Sequence, residues 1–122
     1  MTGTHLILDC RSSSPLLGKR EHVEGWVRAA CCEMDVTILS VTGYDLKNAH
    51  GQAPGVSVVA LIAESHVNVH TWPQEGLITM DAYSCLGFDA ESLFRHFCIW
   101  FDVTETLGKH VLERFGIGVE VA

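Results

Sequence analysis

Between Arg20 and Met34 the apolar residues fall at Val23, Trp26, Val27, Ala30, Cys31 and Met34. That three-to-four-residue recurrence predicts an amphipathic helix with one buried face. The vicinal Cys31 and Cys32 read as core packing on it, since cysteine behaves as a small buried hydrophobe. Elsewhere the pattern changes to short runs. His5–Cys10 and the β-branched Val36–Thr42 read as strands, and Val56–Ala63, His66–Thr71 and Leu77–Ser84 follow one another closely. Short connections between such runs predict an antiparallel meander. Asp89 can cap a second helix running to about Leu107, with Leu93, Phe97, Trp100 and Thr104 on one face. Gly108 interrupts it, and the terminal GIGVEVA reads as a last short strand. RSSSPLLGK and the polar segment from Gly43 to Gly55 read as loops. The expected fold is α+β: a two-layer sandwich of one antiparallel sheet with two helices on one face.

Composition narrows the class. At 122 residues and 48% hydrophobic the chain suits one domain, spanning 1–122, with a real core. No apolar run approaches the roughly 18 residues that a membrane span needs, and THLILDC is too short for a signal peptide. Five cysteines, an odd number without a CxxC pair, point to reduced thiols and a cytoplasmic setting. A net charge of −7 disfavours nucleic acid and anionic membrane and suits a cationic small molecule.

The segment AESHVNVHTWPQEG, residues 63–76, concentrates the polar chemistry. A hairpin centred near Glu75 would set Cys85 opposite Ser65, and cross-strand neighbours lie roughly 4.5–5.5 Å apart. A tighter hairpin about Ala63 and Glu64 would pair Ser57 with His70. The Glu64–Ser65 bond then falls at a bend that no glycine or asparagine eases, which predicts local strain. Ser65 and His70 lie roughly 16 Å apart along one strand at about 3.3 Å per residue, so His70 can serve Ser65 only from a two-fold partner. Three readings stand on the residues alone. One is a polar strand face with satisfied histidines. The second is a metal site using His66 and His70, with Asn68 between them and Cys85 in support; it lacks a fourth ligand, and no metal is expected. The third is a Ser/His/Cys chemical site.

GVSVVALIAESHVNVHTWPQEG followed by DAYSC resembles the prokaryotic S-adenosylmethionine decarboxylases, small self-processing enzymes of polyamine synthesis. The likeness extends to the opening strand GTHLILD, with Asp9 where a glutamate is usual. It implies that the serine hydroxyl attacks the preceding carbonyl and the chain divides between Glu64 and Ser65. A β chain of 1–64 and an α chain of 65–122 would result, the latter beginning with a pyruvoyl group made from Ser65. That group would supply the electron sink for decarboxylating a substrate amine held as a Schiff base. By the same resemblance, His70 assists processing together with Ser57. Cys85 is the proton donor of decarboxylation, and the active sites lie between the protomers of a homodimer. Trp72, Gln74 and Tyr44 are the candidate substrate-binding residues. Gln74 stands where the family has a ribose-binding glutamate. Gly51 stands where it has an aromatic residue for adenine, a place Tyr44 could take if the loop folds back. S-adenosylmethionine is the expected substrate; ornithine or arginine is the alternative, and an unprocessed non-catalytic homologue the remaining one.

Overall fold

The computed structural model describes residues 2–47 and 55–121. Its strands are β1 (Thr2–Ser12), β2 (Ile38–Leu46), β3 (Gly55–Ile62), β4 (Ser65–Trp72), β5 (Leu77–Ser84) and β6 (Val103–Phe115), and its helices are α1 (Arg20–Met34) and α2 (Ala90–Trp100). One six-stranded antiparallel sheet has the order β2-β3-β4-β5-β1-β6. The meander expected from the short connections is the β2-to-β5 run. Both helices pack on one face, as the α+β reading predicts.

Strand alternation builds the core. Leu6 and Leu8, Val58 and Ala60, Val67 and Val69, and Ile78 and Ala82 all point to the helical side and are fully buried. Helix α1 answers with Val23, Trp26, Val27, Ala30 and Cys31, and α2 with Leu93 and Phe97. Trp26, Phe97 and Phe101 form an aromatic knot with ring centroids 5.1–5.9 Å apart. Such pairs contribute about 0.5–1.5 kcal/mol each beyond their buried area. Burial pushes the Cys31 thiol up to about 11, and the Cys10 thiol likewise to about 11. The vicinal pair divides, because Cys32 is exposed on the far side of the helix.

The second helix is shorter than its periodicity predicts. Asp89 does cap it, accepting from the Ser92 amide at 3.0 Å. The helix ends at Trp100, and Asp102 adopts φ 46°, a left-handed turn from which the chain enters β6. Thr104 and Leu107 therefore lie on a strand, where β-branched Val103, Thr104 and Thr106 are at home. Residues 116–121 form no strand. The expected loop also begins late, since Gly43 to Leu46 continue β2 alongside β3. Gly51 lies outside the described residues.

Candidate active site

Among the described residues no helix covers the other face of the sheet, and that face carries the chemistry. Strand β3 turns into β4 through Ala63 and Glu64 alone, and β3 pairs with β4 as expected, Ser57 facing His70 and Ile62 facing Ser65. Two-residue hairpins ordinarily use positive φ in the loop itself. Here neither Ala63 nor Glu64 has it, and the departure falls on Ser65, at φ 156°. The hairpin is anchored from β2's approach: the Thr37 amide donates to Glu64 Oε1 at 3.0 Å, and the Ala63 amide donates to the Thr37 carbonyl at 2.9 Å. Glu64 is consequently buried.

The pairing of β4 with β5 corrects one expectation. Ser65 faces Ser84, and His66 faces Tyr83. Cys85 sits one position further on, and its amide donates to the Glu64 carbonyl at 3.1 Å. The shift comes from the connection, a 3-10 turn over Pro73–Glu75 closed by Gly76 at φ 63°. Such a turn moves the hairpin centre by half a residue relative to a simple bend at Glu75. The displacement keeps Cys85 at the Glu64–Ser65 bond but sets it against the carbonyl side, where its N–H polarises the carbonyl.

Two serine–histidine pairs result, at opposite ends of β4. At the far end Ser57 Oγ lies 2.7 Å from His70 Nδ1, and Tyr44 faces Ser57 from β2. Tyr44 thus lies in a strand and not in the loop expected of it. At the hairpin end Ser65 Oγ lies 2.9 Å from His66 Nδ1. His66 Nε2 in turn lies 2.9 Å from Asp81 Oδ1, which His5 Nε2 also approaches, at 2.8 Å. Arg114 donates to His5 Nδ1 at 3.2 Å, and its guanidinium lies over the Tyr83 ring. Trp72 stands beyond His70 and lines a pocket of about 420 Å³ together with Asp9, Glu75, Thr79 and Leu107. Gln74 is exposed on the 3-10 turn beside it.

The metal reading of the sequence does not assemble, because His70 is engaged by Ser57 and His66 by Ser65 and Asp81. Among the described residues a different trio, His5, His66 and Asp81, brings its ligand atoms within 4.8 Å of one another. His5, Asp81 and Arg114 were not legible as site residues. His5 and Asp81 occupy polar positions of alternating strands, a signal that any solvent-facing residue gives. They meet only through the β1–β5 pairing, and Arg114 joins them through β6.

Comparison with known proteins agrees with this fold. The profile of the S-adenosylmethionine decarboxylase family matches residues 4–112. An S-adenosylmethionine decarboxylase proenzyme of Archaeoglobus fulgidus is 34% identical over 116 residues, covering 93% of this chain and 98% of that protein. One from Sulfolobus acidocaldarius is 39% identical over 70 residues, 57% of this chain, and the match spans only about half of that relative (52%). An arginine decarboxylase proenzyme of Hyperthermus butylicus is 44% identical over 52 residues, 43% of this chain and 31% of that one. The crystal structure of the adenosylmethionine decarboxylase of Aquifex aeolicus superposes with a TM-score of 0.77 at 26% identity, covering 98% of this chain and 96% of that one. With the family profile matching most of its length and a full-length relative at 34% identity, the chain belongs to the S-adenosylmethionine decarboxylase family.

Proposed function

We propose that the chain is the precursor of a pyruvoyl-dependent decarboxylase that divides itself between Glu64 and Ser65 and acts on S-adenosylmethionine. The observation that carries this is the state of that one peptide bond. It sits at the end of a two-residue hairpin, with its carbonyl held by the Cys85 amide at 3.1 Å and the serine hydroxyl held by an imidazole at 2.9 Å. A carbonyl so polarised, next to a hydroxyl with a hydrogen-bond acceptor, is arranged for attack by Ser65 Oγ on the Glu64 carbon. The residues fit the conversion of Ser65 to a pyruvoyl group, whose ketone supplies the electron sink that decarboxylation requires. Cys85, buried beside this bond, is the proton donor of the decarboxylation step. Asp9 and Glu75 at the Trp72 pocket suit the positive charge of the substrate.

The working unit is a homodimer. Ser57 and His70 lie roughly 16 Å along β4 from their own Ser65, so they act on the partner's chain. The open face carries Val59, Leu61 and Leu112, each 42–52% exposed, which a second sheet would cover. Among the described residues no helix is long and apolar enough to cross a membrane, and five free thiols suit the cytoplasm. Gln74 supports arginine as a second substrate reading, because an amide there lacks the charge-assisted grip of a carboxylate on the ribose hydroxyls; the Hyperthermus butylicus relative's name points the same way.

The test is intact mass followed by assay. Purified wild-type protein is expected as two fragments, the N-terminal one ending at Glu64, and Ser65→Ala as one uncut chain. Release of carbon dioxide from S-adenosylmethionine, but not from arginine or ornithine, is the expected activity. A wild-type chain that stays whole on long incubation rules the proposal out.

A further inference from the structure

We infer that His66 is the base of the self-cleavage, held in its working tautomer by Asp81, so that Ser65, His66 and Asp81 form a proton relay within one protomer. The inference rests on the proposed cleavage at Glu64–Ser65 and adds the residue that moves its proton. Tautomers follow from donor and acceptor chemistry. Arginine has donors only, so Arg114, at 3.2 Å from His5 Nδ1, requires that nitrogen to be unprotonated. The His5 proton is then on Nε2, pointing at Asp81 Oδ1 at 2.8 Å. The same carboxylate oxygen faces His66 Nε2 at 2.9 Å and, as a carboxylate, can only accept. The His66 proton is therefore also on Nε2, which leaves Nδ1 with its lone pair toward Ser65 Oγ at 2.9 Å. A serine hydroxyl, an imidazole acceptor and a carboxylate behind it stand in the order that hydrolytic triads use on unrelated folds.

The step balances without a co-reactant. Ser65 Oγ–H gives its proton to His66 Nδ1 as the oxygen bonds to the Glu64 carbonyl carbon. The carbonyl oxygen takes the negative charge, facing the Cys85 N–H at 3.1 Å. The C–N bond then breaks, and the departing Ser65 nitrogen recovers the proton from His66 Nδ1, leaving an ester and a free amine. In between, His66 is an imidazolium whose charge the Asp81 carboxylate stabilises. His5 and Arg114 are positioning residues: they orient Asp81 and set its partners but do not touch the reacting atoms. The Ser57–His70 pair cannot take this role on its own chain, being at the other end of β4. That division leaves His70 for the later proton transfers and His66 for the first.

The full chain made by cell-free translation provides fresh precursor, and the split fraction is followed over time by denaturing mass measurement. His66→Ala is expected to split at least roughly 10²-fold more slowly than wild type, with far-ultraviolet circular dichroism unchanged and partial recovery on adding imidazole. Asp81→Asn removes the carboxylate that fixes the His66 tautomer and stabilises its imidazolium, so splitting should slow roughly 10-fold or more, with partial recovery in Asp81→Glu. Equal splitting by the Asn and Glu variants would reduce Asp81 to a structural role. Splitting of folded His66→Ala or His66→Gln at the wild-type rate would overturn the assignment. So would loss of wild-type splitting in EDTA with recovery on adding zinc, which would make His5, His66 and Asp81 a metal site. A wild type that never splits while Ser65→Ala behaves identically removes the proposed cleavage itself, an outcome distinct from a working wild type with an indifferent His66.

Discussion

Strand β4 presents two unlike faces within eight residues. Val67, Val69 and Thr71 point to the helices at 0–3% exposure, while His66, Asn68 and His70 look out from the uncovered side. The same backbone and the same hydrogen-bond ladder serve both. What differs is the company each side chain keeps: a close-packed hydrocarbon layer below, and a row of carboxylate, imidazole, hydroxyl and guanidinium groups above. The packed face holds the strands in place, and the open face uses that rigidity to hold hydroxyls 2.7–2.9 Å from imidazole nitrogens. Reactivity is thereby separated from stability, and changes to one face should leave the other largely untouched.

The sharpest way to break this comparison uses two defective chains. Ser65→Ala and His70→Ala should each remain uncut alone, with melting temperatures near wild type, because both residues lie off the packed layer. Co-expressed, they should form heterodimers in which some His70→Ala chains divide, a change from essentially none to a measurable fraction by intact mass. Heterodimers that form but never cut would place His70 out of the partner's reach.

Cys85→Ala tests the same separation with a smaller expected effect. The substitution removes a thiol but keeps the amide on the Glu64 carbonyl, so splitting should stay within a few-fold of wild type. Turnover of carbon dioxide should fall roughly 10²–10⁴-fold, and urea stability should fall by only about 1 kcal/mol. Turnover at the wild-type rate would reduce Cys85 to packing.

The packed side offers the mildest test. Burial pushes the Cys31 thiol up to about 11 from an ordinary 9.0, so at pH 9 it carries roughly one-fiftieth of the thiolate of a solvated cysteine. Alkylation at that pH should reach exposed Cys32 first, with Cys31 modified at least roughly 50-fold faster once urea unfolds the chain. Equal labelling of both in the folded protein would mean that α1 does not seal its side of the core.

Local features of the chain were readable and long-range ones were not. The bounds of α1 follow from a stripe of six buried residues on one face. The Ser57–His70 pairing followed because a two-residue turn leaves little freedom in register. By contrast, the β4–β5 register depended on a 3-10 turn whose Gly76 conformation the spacing does not announce. Helix α2 was read too long because Leu93, Phe97, Trp100 and Thr104 keep helical spacing across a break that lies in the backbone of Asp102. With β6 hidden, Arg114 had no place in the site. His5 and Asp81 come together only after strands 76 residues apart in sequence pair side by side.

The sheet order has one more consequence for a chain that divides after Glu64. The first fragment would own β1, β2 and β3, and the second β4, β5 and β6. In the order β2-β3-β4-β5-β1-β6 the first fragment's β1 is inserted between two strands of the second. The fragments would therefore be interleaved rather than laid edge to edge. Separating them means opening three ladders, β3–β4, β5–β1 and β1–β6, as well as the shared layer beneath α1 and α2. Severing the backbone at the hairpin would then leave a new chain start at residue 65, its ketone in place of an amine, while the two pieces stay clasped as one body.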